Sequence, residues 1–172
     1  MIKFGLMGTG RIGRMHASNI VNSEKSELVW VYDINQAASN EVARMTSSKN
    51  SESVETILED SSVDAVLISS STDTHADLIV QSAKAGKAIF CEKPIDLSIE
   101  KVNCCRDQIQ GTDVPIQIGF NRRFDPSHRK VAAAAHNGEI GELEQVIISS
   151  RDPEPPPKEY HLVAGGMLRD MT

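Results

Sequence analysis

Two features of the chain have residue types and a spacing that could do chemistry on a phosphorylated ligand. The first is Gly8-Thr9-Gly10-Arg11-Ile12-Gly13, with the pattern G-x-G-x-x-G. The pattern carries meaning only between a strand and a helix. Both are expected here, an apolar strand over 2–7 and a helix over 12–21. Gly8 permits the sharp turn, Gly10 lets a pyrophosphate approach the main chain, and Gly13 lets the helix pack close to the sheet. Around Arg11 and Ile12 the helix start offers unpaired N–H groups and a partial positive charge to phosphate. The second feature is Asp33, which ends a strand expected over 28–32 and lies twenty residues after Gly13. An acid there accepts hydrogen bonds from adenosine ribose hydroxyls. Its carboxylate repels a 2′-phosphate, and neither Ile34 nor Asn35 is cationic, which favours NAD over NADP. The other reading of Asp33 is a cap for the helix starting near Asn35. The glycines upstream favour the ribose.

The elements that must position these residues follow from the apolar pattern. Helices are expected over 36–45, 54–58, 75–85 and 98–110, with Ser98 capping the last and Gly86 stopping the one before it. Strands are expected over 64–68, 87–91 and 115–118, with a very short one near 50–51. The run Ala65-Val66-Leu67-Ile68 is continuously apolar, as for a strand covered on both faces. This alternation implies an α/β fold, a doubly wound parallel sheet of the Rossmann kind. Beyond Gly119 the pattern changes to a charged turn, a helix over 126–137, a strand over 143–150, a proline-rich extended segment and the start of a helix at 167. The chain is therefore expected to divide into a dinucleotide domain, 1–119, and the start of a second domain, 120–172, which has barely begun. The Val146-Ile147-Ile148 edge is expected to be exposed, with self-association or poor order beyond about Ser150 as the expected result.

The bulk composition excludes several classes. The chain has 172 residues, 40% hydrophobic and 24% charged, which is ordinary for a globular protein. The net charge of −6 argues against a nucleic-acid or anionic-membrane surface. No apolar run approaches the roughly 20 residues of a membrane span. Cys91, Cys104 and Cys105 lack the spacing of a zinc site, no metal is expected, and reduced thiols suit a cytoplasmic protein. His16 is expected to bond a local carbonyl, and His128 and His136 to be exposed.

Further segments carry a resemblance. Phe90-Cys91-Glu92-Lys93-Pro94, Ser71-Thr72-Asp73-Thr74-His75, Gly119-Phe120-Asn121-Arg122-Arg123-Phe124-Asp125 and Gly165-Gly166-Met167-Leu168-Arg169-Asp170 join the glycine loop. Together they resemble the glucose–fructose oxidoreductase and inositol dehydrogenase (Gfo/Idh/MocA) family. Within it the chain is most similar to the bacterial inositol 2-dehydrogenase branch, on the weaker segments from 119 on, including Arg151-Asp152-Pro153-Glu154-Pro155-Pro156-Pro157. The resemblance implies a second, α+β substrate domain and NAD-dependent oxidation of a cyclic polyol, myo-inositol to 2-keto-myo-inositol, by an intact enzyme that is a homo-oligomer about twice this long. A catalytically incomplete NAD-binding fragment or sensor, or a dehydrogenase of another sugar in the same family, are the alternatives.

The resemblance also assigns residues. Ser71, Thr72, His75, Glu92 and Lys93 join the glycine loop and Asp33 as cofactor-binding. Lys93 and Asp170 are catalytic, and Lys93, Arg122, Asp152 and Asp170 bind substrate. The family's catalytic histidine falls four residues beyond the acid matching Asp170, past Thr172. The Lys93–Pro94 bond is implied to be cis. A lysine takes the hydroxyl proton as a neutral amine, or stays charged and holds the hydroxyl while another base acts. Each residue also has a plainer reading. Lys93 is then a surface lysine in a turn, Asp170 a first-turn helix acid, Arg122 a solvated charge, and Asp152 a cap of the proline turn. Thr72 to His75 then cap a helix. Tyr160 and His161 are pocket or packing residues.

Overall fold

The structure, a computed structural model, describes residues 1–149 and 151. The chain forms two units, Met1–Gly119 and Phe120–Thr172. In the first unit the elements run β1 (Ile2–Met7), α1 (Arg11–Val21), β2 (Ser26–Tyr32), α2 (Gln36–Thr46), β3 (Lys49–Ser51), α3 (Val54–Glu59), β4 (Ala65–Ile68), α4 (Thr72–Lys84), β5 (Ala88–Cys91), α5 (Ile99–Gln108) and β6 (Ile116–Ile118). All six strands pair in parallel, in the order β3-β2-β1-β4-β5-β6. The chain winds outward from β1 in one direction and from β4 in the other. The switch between them opens a crevice beyond the carboxyl ends of these two strands.

Side chains alternate across the sheet, and each face is covered. Leu6 of β1 and Leu67 of β4 point to one face, where they pack with Ala17 and Ile20 of α1 and Val42 and Ala43 of α2. Met7, Val66 and Ile68 point to the other face, against Ile57 of α3, Ile79 and Ala83 of α4 and Cys105 of α5. Leu6, Met7, Val66, Ile68 and Ile57 have about zero exposure, so the core lies on both sides of β1 and β4. That double burial is why the β4 run is apolar throughout.

Local signals set most helix ends. Asn35, Ser53 and Ser98 cap α2, α3 and α5 through side-chain oxygens. Helix α4 begins at Thr72, three residues before the sequence-based start at 75, because Ser71 is already extended and Asp73 suits the first turn. Gly86 then takes φ +72° and ends it.

Among its described residues, the second unit holds one tight turn of helix, Asn121–Phe124, and α6, Pro126–His136. Asp125 caps α6 by accepting from the His128 amide, with Pro126 in the first turn. No residue of α6 is buried. Residues 143–149 do not form the expected strand. Their composition suits a strand, but no neighbouring strand pairs with them among the described residues, and an isolated strand has no ladder to satisfy its backbone. Val146, Ile147 and Ile148 are exposed there, as expected. The expected helix at 167 and the proline segment from 153 lie outside the described residues.

Candidate functional site

Four turns leave the carboxyl ends of β1, β2, β4 and β5 and therefore share one edge of the sheet. The glycine turn follows β1. Gly8 takes φ +102°, and a Cβ there would press into the Ser69 and Ser70 main chain. Gly13 is buried in α1, and a Cβ there would overlap the Gly8 carbonyl. Gly10 differs from both: its Cβ would meet nothing within 4 Å. It is the N-cap of α1, has no side-chain cap, and the first turn of α1 holds no acid. The amides of this helix start are thus left for a ligand rather than for a protein oxygen.

The turn is held from three sides. The Gly8 N–H donates to the Tyr32 carbonyl at 2.8 Å. The Ser69 hydroxyl donates to the Gly8 carbonyl at 3.0 Å. Asp33 Oδ2 accepts from the Thr9 N–H at 2.6 Å and the Thr9 hydroxyl at 2.9 Å. Asp33 Oδ1 accepts from the Asn35 N–H at 2.8 Å. The cap of α2 is Asn35, not Asp33, so the capping alternative for Asp33 falls away. The half-buried Asp33 instead ties β2 to the glycine turn. Oδ2 already accepts two bonds, whereas Oδ1 accepts one and keeps lone-pair capacity for a further donor. Thr9, an unspecified position of the motif, is 2% exposed and carries that tie.

After β5 comes the Glu92-Lys93-Pro94 turn, and the Lys93–Pro94 bond is cis, as the resemblance implied. Glu92 and Lys93 are half-buried. Glu92 Oε1 bonds Nε2 of His16 at 2.8 Å, and Oε2 accepts the Lys93 N–H at 3.3 Å. His16 therefore bridges α1 to this turn across 76 positions of sequence rather than bonding a local carbonyl. Its ring also meets Phe90 edge-on, with centroids 5.3 Å apart. Burial pushes the Glu92 carboxyl up, but the His16 bond and charge and the Lys93 amide and charge outweigh it. The net effect holds Glu92 below the usual carboxylate range. Cys91, beneath the turn, is pushed up to about 12 by burial first, then by the Glu92 charge and Cys105. It is an inert thiol, and all three cysteines are free.

His75 of α4 is 2% exposed. Its Nδ1 lies 2.8 Å from the Pro94 carbonyl oxygen and its Nε2 3.0 Å from that of Ser70. Each nitrogen thus faces a main-chain oxygen, and in the neutral ring only the nitrogen that carries the proton donates. Ser71 is exposed and Thr72 half-buried at the start of α4, which also has no side-chain cap. Arg11 is exposed and Ile12 half-buried at the start of α1. Arg122 is exposed in the second unit. Asp152, Tyr160, His161 and Asp170 lie outside the described residues. His128 and His136 are exposed. Sequence reasoning missed Thr9, Ser69 and the His16–Glu92 pair, and no local spacing signals any of them.

The residues present fit a dinucleotide: open space at Gly10, an uncapped helix start, and a carboxylate at the end of β2 with no cation beside it. Among the described residues, no cluster of three side chains could hold a metal ion, and no helix is long and apolar enough to cross a membrane.

A doubly wound parallel sheet with this turn at its switch point defines an NAD-binding domain of the Rossmann type. The chain belongs to the Gfo/Idh/MocA family: residues 2–120 match the family described as an oxidoreductase family with an NAD-binding Rossmann fold. It is 46% identical over 171 residues to the inositol 2-dehydrogenase of Rhizobium meliloti, covering 99% of this chain and 52% of that protein. The myo-inositol dehydrogenase structure from Corynebacterium glutamicum superposes with a TM-score of 0.91 at 40% identity, covering 99% of this chain and 51% of the other. The myo-inositol dehydrogenase of Lactobacillus casei, in complex with NAD(H) and myo-inositol, gives a TM-score of 0.78 at 30% identity over 82% of this chain and 43% of its own. The chain spans about half the length of the curated relatives it matches.

Proposed function

We propose that this chain is the cofactor-binding part of an NAD-dependent dehydrogenase that oxidises a ring hydroxyl of a cyclic polyol, myo-inositol to 2-keto-myo-inositol. The observation that carries the reading is the Glu92-Lys93-Pro94 turn on the same sheet edge as the glycine turn. When bound, NAD supplies the two-electron acceptor for the hydride leaving the carbinol carbon. Arg11, Ile12 and Gly13 amides would hold the diphosphate, Asp33 the adenosine ribose, and Ser71, Thr72 and Glu92 the remainder. Lys93 would take the hydroxyl proton as a neutral amine, or hold the hydroxyl oxygen as a charged donor. Asp170, Asp152 and Arg122 would bind the ring hydroxyls, with 120–172 as the opening of the substrate domain. The free thiols suit a reducing compartment, so we place the working enzyme in the cytoplasm, in inositol breakdown, as a homo-oligomer.

The test is NADH formation from myo-inositol at alkaline pH. It compares this chain with a chimera in which the C-terminal half of the Rhizobium meliloti relative follows Thr172. The chimera should turn over and its Lys93→Ala variant should lose turnover, with the Kd for NAD within about twofold because the amides hold the diphosphate. No NADH from the chimera on any inositol would sink the dehydrogenase reading.

A further inference from the structure

The two turns that flank the crevice on the β4–β5 side are joined by one ring. Ser70 lies in the turn after β4 and Pro94 in the turn after β5. The buried His75 ring lies between their carbonyl oxygens, at 3.0 and 2.8 Å. The Ser70 turn is itself fixed: the Ser70 and Thr74 hydroxyls meet at 2.7 Å, and Ser69 holds the Gly8 carbonyl at 3.0 Å. A path of hydrogen bonds and short main-chain segments thus runs from the glycine turn to the residue after Lys93. An imidazole this deep, with both nitrogens facing carbonyls, has no edge left for a ligand.

We propose that His75 is a positioning residue for Lys93. In this assignment the ring is the Nδ1–H tautomer: Nδ1 donates to the Pro94 oxygen and sets the turn that carries the lysine, while Nε2 faces the Ser70 oxygen without donating to it. The role of Lys93 rests on the function proposed above; the clasp itself does not. Only the Nδ1 contact touches the lysine turn, and this separates positioning from ordinary packing. Asparagine puts an amide nitrogen where Nδ1 stands, and glutamine puts one where Nε2 stands.

The experiment compares backbone amide exchange of residues 92–97 in this chain and in its His75→Asn and His75→Gln variants, without ligand, with NAD affinity measured in parallel. His75→Asn should keep exchange at 92–97 close to that of the parent. His75→Gln should speed it by about tenfold, the loss of roughly one buried hydrogen bond. Exchange in β4 and in the rest of α4 should stay unchanged in both. Equal exchange at 92–97 in the two variants would overturn the proposal. So would faster exchange spreading through α4, or outright unfolding, since His75 would then act only as core. Failure of NAD to bind any of the three proteins, with the expected exchange pattern present, would remove the cofactor reading and leave the clasp standing.

Discussion

The glycines of the first turn should separate into one that serves the fold and one that serves the ligand. Gly13 packs against the Gly8 main chain, with the Ser69 hydroxyl 2.9 Å from where a Cβ would stand. The overlap is with a carbonyl, so no side-chain rotation relieves it. Overpacking of this kind costs about 3 kcal/mol, and the helix preference for Ala over Gly offsets about 1 kcal/mol. Gly13→Ala should therefore destabilise by ~2 kcal/mol and lower Tm by about 4–8 °C. Gly10 has φ −62° and ψ −173°, which any residue adopts, and open space where its Cβ would be. At an N-cap, Gly→Ala costs a few tenths to about 1 kcal/mol, while reduced freedom of the unfolded chain offsets about 0.4–1 kcal/mol. Gly10→Ala should leave Tm unchanged within about 2 °C. In the proposed binding mode its methyl would stand in the path of the diphosphate, at the cost of about one charge-assisted hydrogen bond, so the Kd for NAD should rise about tenfold to hundredfold. Thermal unfolding and calorimetric titration with NAD read the two effects on the same samples. A Gly10→Ala protein with unchanged NAD affinity would refute the placement of the diphosphate. A Gly13→Ala protein with unchanged Tm would refute the packing argument.

Two further outcomes follow from the charged groups. Removing the imidazole in His16→Ala leaves burial as the main influence on Glu92, opposed only by the Lys93 amide and charge, so its titration followed by carbon NMR should move up. In the parent protein Glu92 is depressed on folding. Its contribution to stability is then present above the unfolded carboxylate range and fades as pH falls through the folded value. Asp60 is held at about 2 by the Trp30 indole N–H, then by the Ser62 hydroxyl and amide, against a small opposing effect of burial. The indole bond measures 2.7 Å. Trp30 emission should therefore stay constant on acidification through pH 4 and change only as pH approaches about 2. A transition centred near pH 4 would show that the bond does not form.

What could be read from the chain alone was mostly local. The glycine turn, the cap Ser98 and the stop at Gly86 act within a few positions of themselves, so their types announce them. The parallel sheet was legible because β4 is apolar on both faces, which only a covered strand tolerates. The strand expected over 143–150 did not form over 143–149, for a different reason. Composition supplies the propensity, but a ladder needs a partner, and none pairs with 143–149 among the described residues. Lysines show the limit most plainly. Lys87 is 7% exposed and donates to the Asp60 and Val63 carbonyls at 2.7 and 2.9 Å, though nothing in its neighbours marks it as buried. By itself, then, the sequence determined the order of elements, the dinucleotide turn and the acid after β2. Only the tertiary structure decided that Asp33 braces Thr9, that His16 bonds Glu92 and that His75 spans the turns after β4 and β5. Those contacts join residues up to 76 positions apart, and their partners are chosen by where parallel strands end in space rather than by spacing along the chain.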